Sequence, residues 1–175
     1  MALPTHARLD SELTPEARTY LQQLRSPWKI RLYFLKNLPS AIWWGLRVIH
    51  ADEDRCQVRI PFTWRTQNPF RSIYFAALAG AGELATGTLA NMARLGRGDI
   101  SMLVLEQRAE FLKKANTAVV FSCDQGAAVR NVVGEAVATG EPRTITMTAT
   151  GENERGEICC RIHITWTFKL RQRAN

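Results

Sequence analysis

This chain is short of the residues that build metal and disulfide sites. It has four cysteines, Cys56, Cys123, Cys159 and Cys160, and three histidines, His6, His50 and His163. No two cysteines stand in a C-x-x-C pair, so the convergent spacing a zinc site needs is missing, and no metal is expected. Cys159 and Cys160 are adjacent, which on a strand sends them to opposite faces. Reduced thiols in a cytoplasmic protein are the expectation. A long apolar run is missing too. The best stretch, Ser72 to Met92, carries Glu83 at its middle, which is too polar for a simple membrane span of about 20 residues. The first residues, MALPTHARLDSEL, hold no apolar core of signal-peptide length. Acidic residues are outnumbered, 16 against 23 lysines and arginines, for a net charge of +7. That balance favours anionic partners. The cations are scattered, however, and lack the interleaved basic–aromatic pattern of nucleic-acid binders, so no nucleic-acid partner is expected.

What is present suits one domain of 175 residues with a sizeable core. Residues 1–13 read as a loose terminus. Thr14-Pro15-Glu16 is a helix start, with Thr as N-cap, Pro at the first helical position and Glu in the first turn. Pro27 to Trp44 is rich in aromatics and aliphatics and is broken near Pro39. With Lys29, Arg31 and Lys36 it fits a helix packed on a β core, a lid over a substrate channel, or a basic helix on a membrane surface. Residues 1–44 are therefore set apart as a helical extension, and 45–175 as the main unit.

From Gly45 the period shortens. Leu46 to Ile49 and Cys56 to Ile60 flank the turn Asp52-Glu53-Asp54 and predict a hairpin. Ile100 to Phe111, Ala118 to Cys123, Pro142 to Gly151 and Ile158 to Leu170 predict further strands, the last with Ile162, Ile164, Trp166, Phe168 and Leu170 on one face. Val132 to Thr139 reads as a short strand or, from Ala127 to Val133, a helical turn. Between them, residues 72–92 predict one long helix with Ser72 as N-cap. Ala76, Ala77, Ala79, Gly80, Ala81, Gly82, Ala85 and Gly87 make it unusually small-sided. Each glycine costs an isolated helix about 1 kcal/mol relative to alanine. Such a helix needs close neighbours, and a sheet wrapped tightly around it would supply them. The order is that of an α+β fold.

Two features carry chemical potential. Gln67-Asn68-Pro69-Phe70-Arg71-Ser72 turns into the helix, whose N-terminus offers unpaired N–H groups to an oxyanion or thioester carbonyl. Glu83 is the one ionisable group between Arg71 and Arg94, apart from Tyr74. A carboxylate among small apolar residues has a raised pKa, which suits a general base. Its positions four residues away, Ala79 and Gly87, exclude an ion pair within the helix.

The stretch Asn68 to Gly87 resembles the signature of hotdog-fold acyl-CoA thioesterases, especially the phenylacetate-pathway branch and its relatives of uncharacterised function. The pattern has an Asn, a His six residues on, and an acidic residue nine further; here Asn68, Tyr74 and Glu83 hold those positions. Ala109 to Ala115 is similar to the family's strand-end turn. The resemblance covers roughly residues 45–170. It implies an antiparallel sheet wrapped around the central helix, active sites formed between two subunits, and hence a homodimer or dimer of dimers. It also implies an acyl-CoA or related thioester as substrate, with no resident cofactor. Glu83 would be general base or nucleophile, and Asn68 would orient the water or the thioester. The N–H groups near Phe75 and Ala76 would polarise the carbonyl. Arg71 would contact a CoA phosphate or obstruct the mouth, and Ser101 would support the site. Tyr74 replaces the family's His and is far less acidic than imidazolium. A non-hydrolytic acyl-binding protein is the alternative that this replacement favours.

Overall fold

The computed structural model describes residues 13–171. Three helices come first: α1 (Pro15–Leu24), α2 (Pro27–Asn37) and α3 (Pro39–Trp44). The Thr14 side chain accepts from the Ala17 N–H, and Pro15 follows as the first helical residue, as the start signal predicts. Pro39 separates α2 from α3. The expected loose terminus lies, apart from Leu13, outside the described residues.

The hairpin β1 (Arg47–Ala51) and β2 (Cys56–Ile60) leads to the long helix α4 (Phe75–Arg94). Then follow β3 (Ile100–Phe111), β4 (Val119–Cys123), α5 (Gly126–Thr139), β5 (Arg143–Asn153) and β6 (Ile158–Leu170). All six strands join one antiparallel sheet in the order β1-β2-β4-β5-β6-β3. The sheet curls around α4, which touches β2 to β6. Inward residues alternate with outward ones along β5 and β6: Met147 and Ala149 answer Ile162, Ile164 and Phe168 in the core.

The long helix begins three residues later than predicted and runs two further. Ser72 is not its cap. The Ile73 N–H donates to the Ala115 carbonyl at 2.7 Å and the Tyr74 N–H to the Thr66 carbonyl at 2.7 Å. These two bonds hold the chain extended to Tyr74, which is the N-cap residue. The Val132 to Thr139 segment is also corrected: it continues α5 and forms no strand. Val129, Val133 and Ala136 are buried at helical spacing, and the short apolar runs between them imitate a strand.

The small-sided helix does have close neighbours, and they are side chains. A Cβ on Gly82 would lie 2.7 Å from Ile162 Cβ, one on Gly80 2.8 Å from the Trp44 ring, and one on Gly87 3.2 Å from the Trp166 ring. Cys159 and Cys160 are both buried, since β6 bulges where Gly151 pairs with Cys160 and Glu152 with Ile158. No helix among the described residues is long and apolar enough to cross a membrane.

Candidate functional site

One face of α4 is left open by the sheet. Phe75, Ala76, Ala79, Gly80, Glu83 and Gly87 follow one another there, and the stripe continues to Arg94. At 1.5 Å per residue the stripe is about 28 Å long. It floors a groove of about 960 Å³. Phe34 of α2, Leu38 between the helices and Trp44 of α3 form one wall; Met102 and Val104 of β3, with Trp166 of β6, form the other. The N-terminal helices thus pack beside α4 and wall the groove.

Glu83 stands near the middle of this groove. Its small apolar sequence neighbours suggest a buried position, yet in the single chain it is exposed to the open groove. The reason is its neighbour: Gly82 faces the sheet, so the next residue points away from it. The groove walls still displace enough water to hold the Glu83 carboxyl above its ordinary range. It makes no hydrogen bond or ion pair within the described residues. Once ionised, this carboxylate is partly desolvated and has no partner among the described residues. The consequence for stability follows from the sign of the shift. Below the unfolded pKa, ordinarily about 4.3, the group is protonated in both states and contributes nothing. As pH rises through the folded pKa, its ionisation destabilises the folded state. Glu83→Gln is accordingly expected to melt at a higher temperature than the wild type at pH near 8, and at the same temperature near pH 4. Thermal melts at both pH values check this; an equal gap at each would contradict it.

Asn68 lies elsewhere. With Ser72, Ile73, Leu78, Leu112 and Lys113 it lines a second hollow of about 410 Å³. Its Oδ1 accepts from the N–H groups of Phe70 at 3.0 Å and Ser72 at 3.2 Å, and from the Ser72 hydroxyl at 3.2 Å. The oxygen therefore organises the turn. Arg71 closes that turn with its N–H on the Asn68 carbonyl at 3.0 Å. Its φ of 58° is a left-handed conformation that favours glycine. Its side chain is exposed and lines neither hollow.

Tyr74 is also outside both hollows; its ring meets the Phe75 ring edge-to-face at a centroid distance of 4.8 Å and an interplanar angle of 62°. The Tyr74 carbonyl accepts from the N–H groups of Ala77 and Leu78 at 3.0 and 3.1 Å. The N–H groups of Phe75 and Ala76, ahead of those, have no intrahelical acceptor. Among the described residues, Phe75 alone lines both hollows. Ser101 lines the groove near the far end of α4, and its hydroxyl donates to the Lys169 carbonyl at 3.1 Å. Its role there is to tie β3 to β6. The single chain thus joins Glu83, Ala76, Phe75 and Ser101 in one groove, and does not bring Asn68, Arg71 or Tyr74 to Glu83.

Other nucleophiles are poorly placed. All four cysteines are buried and free. Burial pushes the thiols of Cys56 and Cys160 up to about 12 and that of Cys123 up to about 11, so thiolate is scarce. Among the described residues no group of three His, Cys, Asp or Glu side chains could hold a metal ion.

A six-stranded antiparallel sheet wrapped around one small-sided helix is a hotdog fold, and solved structures agree. The chain is similar to a Chlorobaculum tepidum protein of unknown function at 14% identity, with a TM-score of 0.70 over 91% of this chain and 98% of that one. It is similar to a thioesterase from Haemophilus influenzae at 13% identity, with a TM-score of 0.60 over 86% and 95%. A thioesterase enzyme from Staphylococcus aureus matches at 16% identity, with a TM-score of 0.55 over 75% and 98%. At these identities the likeness defines the fold. The particular family follows from sequence: residues 34–168 match the Domain of unknown function DUF4442, and the chain belongs to that family. No curated protein matches it.

Proposed function

We propose that this protein hydrolyses an acyl-CoA or a related acyl thioester, with Glu83 as general base or nucleophile. The observation that carries the reading is the Glu83 carboxyl, without a partner among the described residues and held above its ordinary pKa in a groove of mixed apolar and polar lining in a hotdog fold. As base, Glu83 takes a proton from water while the water oxygen attacks the thioester carbonyl. The oxyanion so formed is stabilised by N–H groups at the start of α4, and the C–S bond breaks as the thiolate leaves. As nucleophile, the carboxylate attacks directly and water cleaves the resulting anhydride. The Asn68 NH2 group orients the water or the thioester.

These parts lie apart in one chain. Ala76 and Glu83 are separated by about 10 Å along the helix axis, and Asn68 sits in the other hollow. A second copy resolves the separation by bringing its own Glu83 to the first copy's helix start. The edge strand β3 favours this assembly: it is twelve residues long, with Leu103 63% and Leu105 60% exposed. A long apolar edge is a template for pairing. Replacing both Leu103 and Leu105 by lysine is expected to halve the mass in light scattering and to remove activity. A fully active monomer would sink the shared-site reading. The phenylacetate branch rests on the Asn68–Glu83 spacing. The four free, buried thiols suit a reducing compartment, and we place the protein in the cytoplasm on that ground.

The test is a panel of acyl-CoA thioesters of graded chain length, followed by release of free thiol. Turnover is the expected result. The exposed Tyr74, outside both hollows where the family has His, favours a second reading as an acyl-binding protein. Tight binding with no turnover anywhere in the panel would establish that reading instead.

A further inference from the structure

Helix α2 has two apolar faces. Ile30 and Phe34 are buried, and Phe34 lines the Glu83 groove. Trp28, Leu32 and Leu35 follow at spacings of four and three residues on the opposite side, 66%, 62% and 62% exposed. With about 3.6 residues per turn, Arg31 falls on one flank of this outer stripe, and Lys29 and Lys36 fall on the other. Lys29 Nζ lies 5.5 Å from the centre of the Trp28 ring. From Ala17 to Ala51 the chain holds Arg18, Arg25, Lys29, Arg31, Lys36 and Arg47 and not one acidic residue.

We propose that the outer face of α2 seats the protein on an anionic lipid surface, with Trp28, Leu32 and Leu35 in the acyl–headgroup boundary and Arg31, Lys29 and Lys36 on the phosphates. An apolar stripe with cations on both flanks is the geometry of a helix lying in the plane of a bilayer: long basic side chains extend sideways to the headgroups while the stripe sinks between them. Charge decides against a second copy as the occupant. A self-complementary contact would set this basic face against itself, with no carboxylate between Ala17 and Ala51 of either copy to offset it. Charge also favours lipid over an acyl chain, which would need the concave groove on the other side of α2 and gains nothing from flanking cations. This inference stands without the hydrolase reading, because it concerns the face of α2 turned away from the groove.

The experiment is co-sedimentation of the full chain with vesicles of phosphatidylserine and phosphatidylcholine in equal parts, against vesicles of phosphatidylcholine alone. The wild type is expected to pellet with the anionic vesicles, more weakly as salt is added, and to stay in solution with the neutral ones. The variant Trp28→Ser/Leu32→Ser/Leu35→Ser should bind at least about tenfold more weakly. Lys29→Glu/Arg31→Glu/Lys36→Glu should bind at least about a hundredfold more weakly. All six side chains point outward, so both variants should keep the wild-type melting temperature; a third variant, Trp28→Ser alone, serves if either does not fold. Equal pelleting of wild type and folded variants would overturn the proposal, as would no pelleting of the wild type. A wild-type oligomer that the serine variant dissociates would overturn it in favour of an interface between copies. Thioester hydrolysis in solution should be unchanged in every folded variant, which separates this outcome from the fate of the catalytic reading.

Discussion

Glu83→Gln should lower kcat for acyl-CoA hydrolysis by about 10²- to 10⁴-fold while leaving KM close to the wild-type value. Glutamine keeps the length and planar shape of the side chain, so the groove between α2–α3 and β3 keeps its form. What is lost is the ability to accept a proton or form an acyl anhydride, which matters only as the transition state develops. The size of the effect is tied to the environment. A freely solvated carboxylate would be a weak base at neutral pH; Glu83 is raised by desolvation and so works closer to the pH at which it is used. The same desolvation destabilises the folded chain, so the inactive variant should also be the more stable one at neutral pH. Loss of activity together with a higher melting temperature separates catalysis from unfolding. Steady-state kinetics decide the matter: a kcat within tenfold of the wild type would remove Glu83 from the chemistry. Asn68→Ala is a less clean probe, because Asn68 Oδ1 also holds the Phe70–Ser72 turn.

Glu83 was legible in the sequence as a lone carboxylate, because its chemistry depends on what is absent four residues to either side. Its cover was not legible. Whether an exposed helix face meets solvent, a lid or a second copy depends on residues far away in sequence, here Phe34, Leu38 and Trp44. A signal for one of these contacts was present in Gly80, whose missing Cβ makes room for the Trp44 ring. Nothing in the local sequence says which of the helix glycines has which partner.

The strands β2 and β6 were readable because alternation and length agree over five residues or more, and β3 because it is long and rich in valine and leucine at its start, although its burial does not alternate. The ends of α4 were not. Ser72 has the chemistry of a cap, yet its N–H and hydroxyl are taken by Asn68 Oδ1, while Tyr74 is fixed by the carbonyl of Thr66. A tertiary hydrogen bond outweighs local preference there. Helix α5 shows the opposite case. The helical spacing of Val129, Val133 and Ala136 was in the sequence, but Val132 and Val133 together imitate a strand. Gly126, where a side chain would collide with the Glu53 carbonyl, lets the first turn of this helix lie close against the β1–β2 turn.

Gly82→Val should cost about 3 kcal/mol or more, enough to lower the melting temperature of a domain of this size by roughly 6–12 °C. The reason is the rigidity of what stands opposite. A Cβ at Gly82 would lie 2.7 Å from Ile162 Cβ, an atom attached directly to the β6 backbone, which pairs with β5 on one side and β3 on the other. No rotamer of Ile162 moves its own Cβ, so relief needs α4 and the sheet to part. Gly80→Ala is the control. There the obstacle is the rim of the Trp44 ring at 2.8 Å, on a short peripheral helix that can yield, and the gain of about 1 kcal/mol in helix propensity offsets much of the crowding. Ile162→Ala should rescue part of the Gly82→Val loss by removing the Cγ atoms at 2.8 and 3.0 Å, leaving the Cβ contact in place. Chemical denaturation of the three variants measures this; equal losses at Gly80 and Gly82 would contradict it. The consequence reaches the groove. Gly82 and Glu83 are successive residues facing the sheet and the groove, so the tight seat of one sets the direction of the other. A substitution that lifts the helix off Ile162 also turns the carboxylate, and should reduce kcat in whatever fraction still folds.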